Sequence, residues 1–136
     1  MFSLNDLSAT KASDEAFEFE LEDSNGVRRG IFLKVLGSQS EKVTSEVARL
    51  INARRRSEAA RAMRSNKKTV EFEPIESDIE FGQRLAAVRL VGWRGITEPW
   101  TPENALTLCR SNRDISAQIV EKSDDMANFM RVSSNS

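Results

Sequence analysis

The clearest pattern in the chain is a period of two near its start. In "AFEFELE", residues 16–22, Phe17, Phe19 and Leu21 alternate with Glu18, Glu20 and Glu22. One side of an extended segment is therefore apolar and the other charged. "DSNG" at 23–26 follows, and its Asn25-Gly26 accepts the positive φ angles of tight turns. "VRRGIFLKVLG" then reads as a second strand closed by Gly37. The pair predicts an antiparallel β-hairpin over residues 15–36, with a register that the loop leaves open. Residues 1–13 are polar with scattered apolar positions and read as a flexible arm.

Beyond the hairpin the period becomes helical. Ser38 with Glu41 three residues later has the form of a capping box, so a helix is expected over about 38–65. Its apolar stripe is Val43, Val47, Leu50 and Ile51. After Asn52 only alanines and Met63 continue it, so the first half should pack on the hairpin while the second projects. "TVEFEPIESD" reads as an extended link broken by Pro74. A second helix is expected over 77–91, apolar on more than one face and the most buried. Thr101 as N-cap, Pro102 at the first helical position and Glu103 near the positive helix end open a third, over 102–110. Ser111 or Asn112 caps a fourth over 112–130, along Ile115, Ile119, Met126, Phe129 and Met130. The expectation is one α+β domain at 14–131, an N-terminal β-hairpin followed by about four helices, with a short tail at 132–136.

Composition narrows the chemistry. The chain has 136 residues, no His, one Cys and a net charge of −1. Without His the usual catalytic triad and imidazole metal sites cannot be assembled, and no glycine-rich phosphate loop is present. The expectation is a protein that is not an enzyme and uses no cofactor or metal. Cys109, on an apolar helix face, reads as core. No stretch has the length of a membrane span, and the opening residues lack the pattern of a secretory signal. A lone Cys fits a reducing cytoplasm.

Charge is arranged in blocks. Residues 14–23 hold six acids and no base, residues 41–68 nine Lys and Arg against three Glu, and residues 71–80 five acids and no base. Pairing of these blocks within one fold, or solvated faces, accounts for them most simply. Arg54, Arg55, Arg56, Arg61, Arg64, Lys67 and Lys68 form the one stretch suited to phosphate, and binding there would be steeply salt dependent. No aromatic residue is interleaved for base stacking and acidic blocks flank the stretch, so nucleic acid is not the expected partner.

"VGWRGITEPWTPEN", residues 91–104, contains both tryptophans of the chain. Trp93 is expected to plug the core where the second helix ends, with Gly92 and Gly95 letting the backbone turn beside it. Trp100 precedes the cap at Thr101, where a hydrophobic staple packs it toward Ala105 or Leu106. A helix ending in "LVGWRGI", then "WTPENALTLCRSNRDISAQIVEKSDDMANF", resembles the tail assembly chaperones of long-tailed bacteriophages. The matching residues are Gly92, Trp93, Thr101, Pro102, Glu103, Asn104, Asn128 and Phe129. "GVRRGIFLKVLGSQSEKV" is similar to the strand and helix opening of that family, and the resemblance spans about residues 15–130. The connection "TEPW" is tighter than the insert many relatives have there.

The resemblance implies a non-catalytic protein of the infected host's cytoplasm. Such a protein keeps the helical tape measure protein soluble until tail tube protein subunits polymerise around it, and the family often also has a longer frameshifted form. A partner helix can be held in an apolar groove by anchors at helical spacing. The second and last helices can frame one, with Met63, Met126, Phe129 and Met130 as adaptable contacts and Arg54, Arg55 and Arg61 facing acidic segments of a partner. An open hairpin edge offers self-association. Two other readings stay open: a neck or tail-completion protein of the virion, and a nucleic-acid-binding regulator acting through 54–68.

Overall fold

The alternating segment forms strand β1, Phe17–Glu22, and the run after the turn forms β2, Arg28–Val35. Both belong to a computed structural model that describes residues 1–65 and 75–130. The expected link through Pro74, the cations Lys67 and Lys68, and the tail at 132–136 lie outside the described residues. The strands are antiparallel, with Phe17 opposite Val35, Glu22 opposite Arg28 and an irregularity between Glu20 and Glu22. Asp23 organises the turn, because its carboxylate accepts the N–H groups of Asn25 and Val27, each at 2.9 Å. Gly26 takes a φ of +78°, which glycine adopts without the steric cost a β-carbon brings.

The helix expected over 77–91 stops early. Helix α3 spans Ile75–Ala87, and Leu90–Arg94 form a third strand, β3. β3 lies antiparallel on the other edge of β2, with Trp93 opposite Leu33 and Arg94 opposite Phe32. An apolar run serves a buried helix or a buried strand equally well, and β2 offers unpaired backbone groups that Val91 and Trp93 suit. Arg89 marks the switch, since its guanidinium donates to the Leu85 carbonyl at the helix end. Its own carbonyl accepts the Leu36 N–H at 2.9 Å.

The remaining elements are α1 (Ala9–Ser13), α2 (Glu41–Ser65), α4 (Pro102–Ser111) and α5 (Arg113–Asp124), the last followed by a 3-10 turn at Met126–Asn128. The fold is α+β. The inner face of the sheet, with Phe19, Leu21, Leu33, Val35 and Leu90, packs with Ala86 of α3, Ala105 and Cys109 of α4 and Ile119 of α5. The outer face carries the predicted acids, and Arg94 lies over the Phe32 ring at 3.7 Å while pairing with Glu18 at 3.0 Å.

Three further expectations change. Ser40, not Ser38, caps α2, its hydroxyl accepting the Val43 N–H at 3.3 Å. Ser38 is used elsewhere: Leu36, Gly37 and Ser38 donate their successive N–H groups to the carbonyls of Arg89, Ser13 and Ser123, each at 2.9 Å. The arm is consequently shorter than 1–13, because α1 is docked at this point and Ser13 is fully buried. A β-carbon on Gly37 would stand 2.5 Å from the Ser13 hydroxyl oxygen, so glycine there makes the docking possible. The last helix ends at Asp124, where Asp125 turns the chain and accepts the Ala127 N–H at 3.1 Å.

The open hairpin edge is also altered. β3 occupies one side of β2, and on β1 the Gln118 amide of α5 makes a two-point bond with the N–H and carbonyl of Glu22, at 3.2 and 2.8 Å. That side chain occupies the β1 edge at its last residue, Glu22. Among the described residues no helix is long and apolar enough to cross a membrane.

Candidate functional site

Two helices packed side by side leave a trough between them when the residues along its floor are small. α3 and α5 meet this condition. α3 contributes Ile79, Gly82 and Ala86, and α5 contributes Ser116, Ala117 and Val120, at the three- and four-residue spacing of a single helix face. The trough encloses about 540 Å³, with Asp78, Arg113 and Glu121 at its margins. At a rise of about 1.5 Å per residue its length is about 10 Å, or two turns of an incoming helix.

Gly82 is the informative residue. It sits inside α3, where glycine costs about 1 kcal/mol relative to alanine. Nothing lies within 4 Å of the position a β-carbon would take, and its φ is not in the left-handed region. Neither a turn nor packing within the described chain calls for a glycine. A missing side chain facing an open trough lets another backbone approach closely, as between helices that cross at small residues. Ile79 beside it is 36% exposed, an apolar side chain left half in water.

The residues singled out from sequence are not gathered here. Arg54 is half-buried and committed to α3: its guanidinium lies 4.5 Å from the centre of the Phe81 ring and pairs with Asp78, so it fastens α2 to α3. This joins the basic block to the second acidic block. Arg55 lies on an exposed face of α2 with Ser45, Asn52 and Arg56. Arg61 is half-buried on α2, and Met63 is 84% exposed near its end. Met126 approaches Ser13, its sulfur 3.8 Å from the hydroxyl oxygen, and Phe129 meets Phe17 edge-on at 6.0 Å. Met130 is half-buried behind them, its N–H bonded to the Met126 carbonyl at 2.7 Å. Met126 and Phe129 thus hold the segment after α5 to α1 and the hairpin, and neither they nor Met63 and Met130 line the trough.

At the corner, Trp93 stands in a strand and is half-buried against the core rather than plugging it at a helix end, and Gly92 lies in the same strand rather than in a turn. The Trp93 indole N–H donates to the Glu98 carbonyl at 2.9 Å, closing the turn. Thr101 caps α4, its hydroxyl accepting the Asn104 N–H at 3.0 Å, and the Asn104 amide returns to the Pro99 carbonyl at 2.9 Å. Gly95, at φ +88°, is where a β-carbon would meet the Gly30 carbonyl at 2.3 Å. Gly92 simply pairs with Lys34 in the sheet. Glu103 is exposed in the first turn of α4. Cys109 is fully buried, and burial pushes its thiol up from the ordinary value, away from thiolate chemistry.

The two helices of the trough are those expected to frame a groove, but its lining is not among the residues expected as contacts there. The visible signal was Gly82, a helix-breaking residue within the helical run "IEFGQRLAA". Comparison with models of known protein families, with curated proteins and with solved structures finds no match.

Proposed function

We propose that the protein is a non-catalytic tail assembly chaperone that seats a helix of the tape measure protein in the trough between α3 and α5. The observation that carries this reading is Gly82, a mid-helix glycine with open space above it in a trough floored by small and apolar side chains. The motif at 92–104, with Asn128 and Phe129, supplies the family resemblance. A helix laid on Gly82 and Ala117, the exposed small residues of the trough, comes close enough for continuous van der Waals contact, and Ile79 and Val120 give it apolar walls. Covering a long apolar helix in this way keeps it from aggregating until tail tube subunits replace the chaperone, which places the work in the cytoplasm of the infected host.

Engagement of Arg54 by Phe81 and Asp78 weighs against a regulator that spends the basic stretch on phosphate. The test is co-expression with the tape measure protein encoded by the same phage. A soluble complex is expected, with the chaperone absent from purified virions by mass spectrometry. Failure to form a complex, or presence of this chain in finished particles, rejects the proposal, and the second result would point to a neck or tail-completion protein.

A further inference from the structure

A second groove lies on the other side of α3, between α2, the α3–β3 connection and α4, and encloses about 360 Å³. Its walls are apolar: Leu50 of α2, Val88 before β3, Trp100 and Leu106 of the corner and α4 are each only half-buried. The rim is positive. Lys42, Arg49 and Arg84 line it against the single carboxylate of Glu46, which is already paired with Arg49 at 2.8 Å. Arg84 shares one acid, Glu80, with Arg110, so two guanidinium groups face one carboxylate there. The hydrogen bond from Arg110 comes first among the causes holding Glu80 below its ordinary value. Positive charge is in excess around an apolar floor.

Trp100 forms part of this wall. Its indole nitrogen is buried and has no hydrogen-bond acceptor among the described residues, whereas that of Trp93 is satisfied by Glu98. Buried donors without a partner are uncommon and costly. Trp100 therefore contributes apolar surface to the groove wall rather than an accessible donor.

We propose that this groove is a docking site for an amphipathic, acidic segment of another protein. Leucine-like side chains would fill the floor and carboxylates would meet Lys42, Arg49 and Arg84. Apolar burial supplies affinity, while the cations select the sign of the partner and speed its approach. The site stands on its own residues and does not depend on what occupies the trough between α3 and α5, which shares none of this lining. A nucleic-acid strand would also answer the positive rim, but the floor offers aliphatic side chains and one indole rather than a row of stacking platforms.

The experiment uses a Trp93→Phe variant, which leaves Trp100 as the only indole. Two capped peptides of about 16 residues, long enough to populate a helix alone, carry the same leucine stripe with Glu or with Lys elsewhere. The Glu peptide should give a saturable change in Trp100 emission, and the Lys peptide none. Reversing charge at exposed positions, Lys42→Glu with Arg84→Glu, should weaken binding by about tenfold or more, about 1.4 kcal/mol. Raising salt should also weaken it.

No saturable change, equal binding of both peptides, or an oligo-dT strand that competes with the Glu peptide overturns the proposal. So does a dimer of the protein alone that the charge reversal dissolves, because the groove then belongs to a second copy. Should the reversed variant fail a far-UV circular dichroism check of folding, a benzophenone-bearing Glu peptide crosslinked to the unreversed protein decides. Adducts on the α2 and α4 walls support the site, and adducts elsewhere reject it.

Discussion

Replacing Gly82 separates the stability of the fold from the capacity of the trough. In Gly82→Ala the new methyl group enters open space, with nothing within 4 Å, on a backbone that needs no left-handed φ. The gain is the difference in helix propensity, about 1 kcal/mol, part of it from fewer conformations in the unfolded chain. For a domain of this size that raises Tm by about 3–5 °C. Gly82→Leu keeps most of this gain, since leucine is also a good helix former, but lifts a branched side chain into the space of the incoming helix. Its binding to the tape measure protein should fall at least about tenfold, equivalent to about 1.4 kcal/mol. Thermal melts by circular dichroism read the first quantity, and co-purification with titration of the soluble complex reads the second. An alanine variant less stable than the parent would show that position 82 is crowded. A leucine variant that binds and solubilises as well as the parent would remove the trough from the mechanism, whatever its stability.

Three other outcomes follow from the geometry. Gly95→Ala combines a positive φ with a collision at the Gly30 carbonyl, so urea unfolding should show a loss of about 2 kcal/mol or more, while Gly92→Ala should cost much less. Thr101→Ala removes the acceptor for the Asn104 N–H and should cost about 1 kcal/mol, with Thr101→Ser restoring most of it. Glu18 is held below its ordinary value of 4.5 chiefly by the hydrogen bond from Arg94, and Asp23 below 3.8 chiefly by the backbone N–H of Val27. Depressed folded-state values mean that this stabilisation is present above the ordinary values and is lost as pH falls through the folded ones. Tm measured downward from pH 5 should therefore decline, and Glu18→Gln should flatten part of the decline; a Tm unchanged to pH 2 would contradict the assignment.

What could be read from the sequence was local. The alternation of Phe17, Phe19 and Leu21 with glutamates, the turn glycine at 26 and the cap at Thr101 with Pro102 each act within a few residues of themselves. The chain near them carries their whole explanation. The sequence places Leu90 and Val91 in a helix, because they continue an apolar run, and Gly92–Arg94 in a connection; only the free edge of β2, more than fifty positions earlier, makes one strand of them. Ser40 rather than Ser38 is the cap because α2 begins at Glu41, while the backbone at Ser38 is bonded to Ser123, also far away in sequence. The site was harder. Nothing in the local sequence of Met126 and Phe129, candidates for partner contact, reports their neighbours Ser13 and Phe17, far away in the chain. A trough between two helices depends on how they cross, and spacing within each helix does not report that.

The bonds at Leu36, Gly37 and Ser38 make three adjacent amides into separate timers. In hydrogen exchange, Gly37 reports release of α1 through Ser13, Ser38 reports release of the α5 end through Ser123, and Leu36 reports opening of the link into β3 through Arg89. A single short peptide from this stretch, followed residue by residue, would thus rank the order in which the N-terminal, C-terminal and central parts of the molecule come undone.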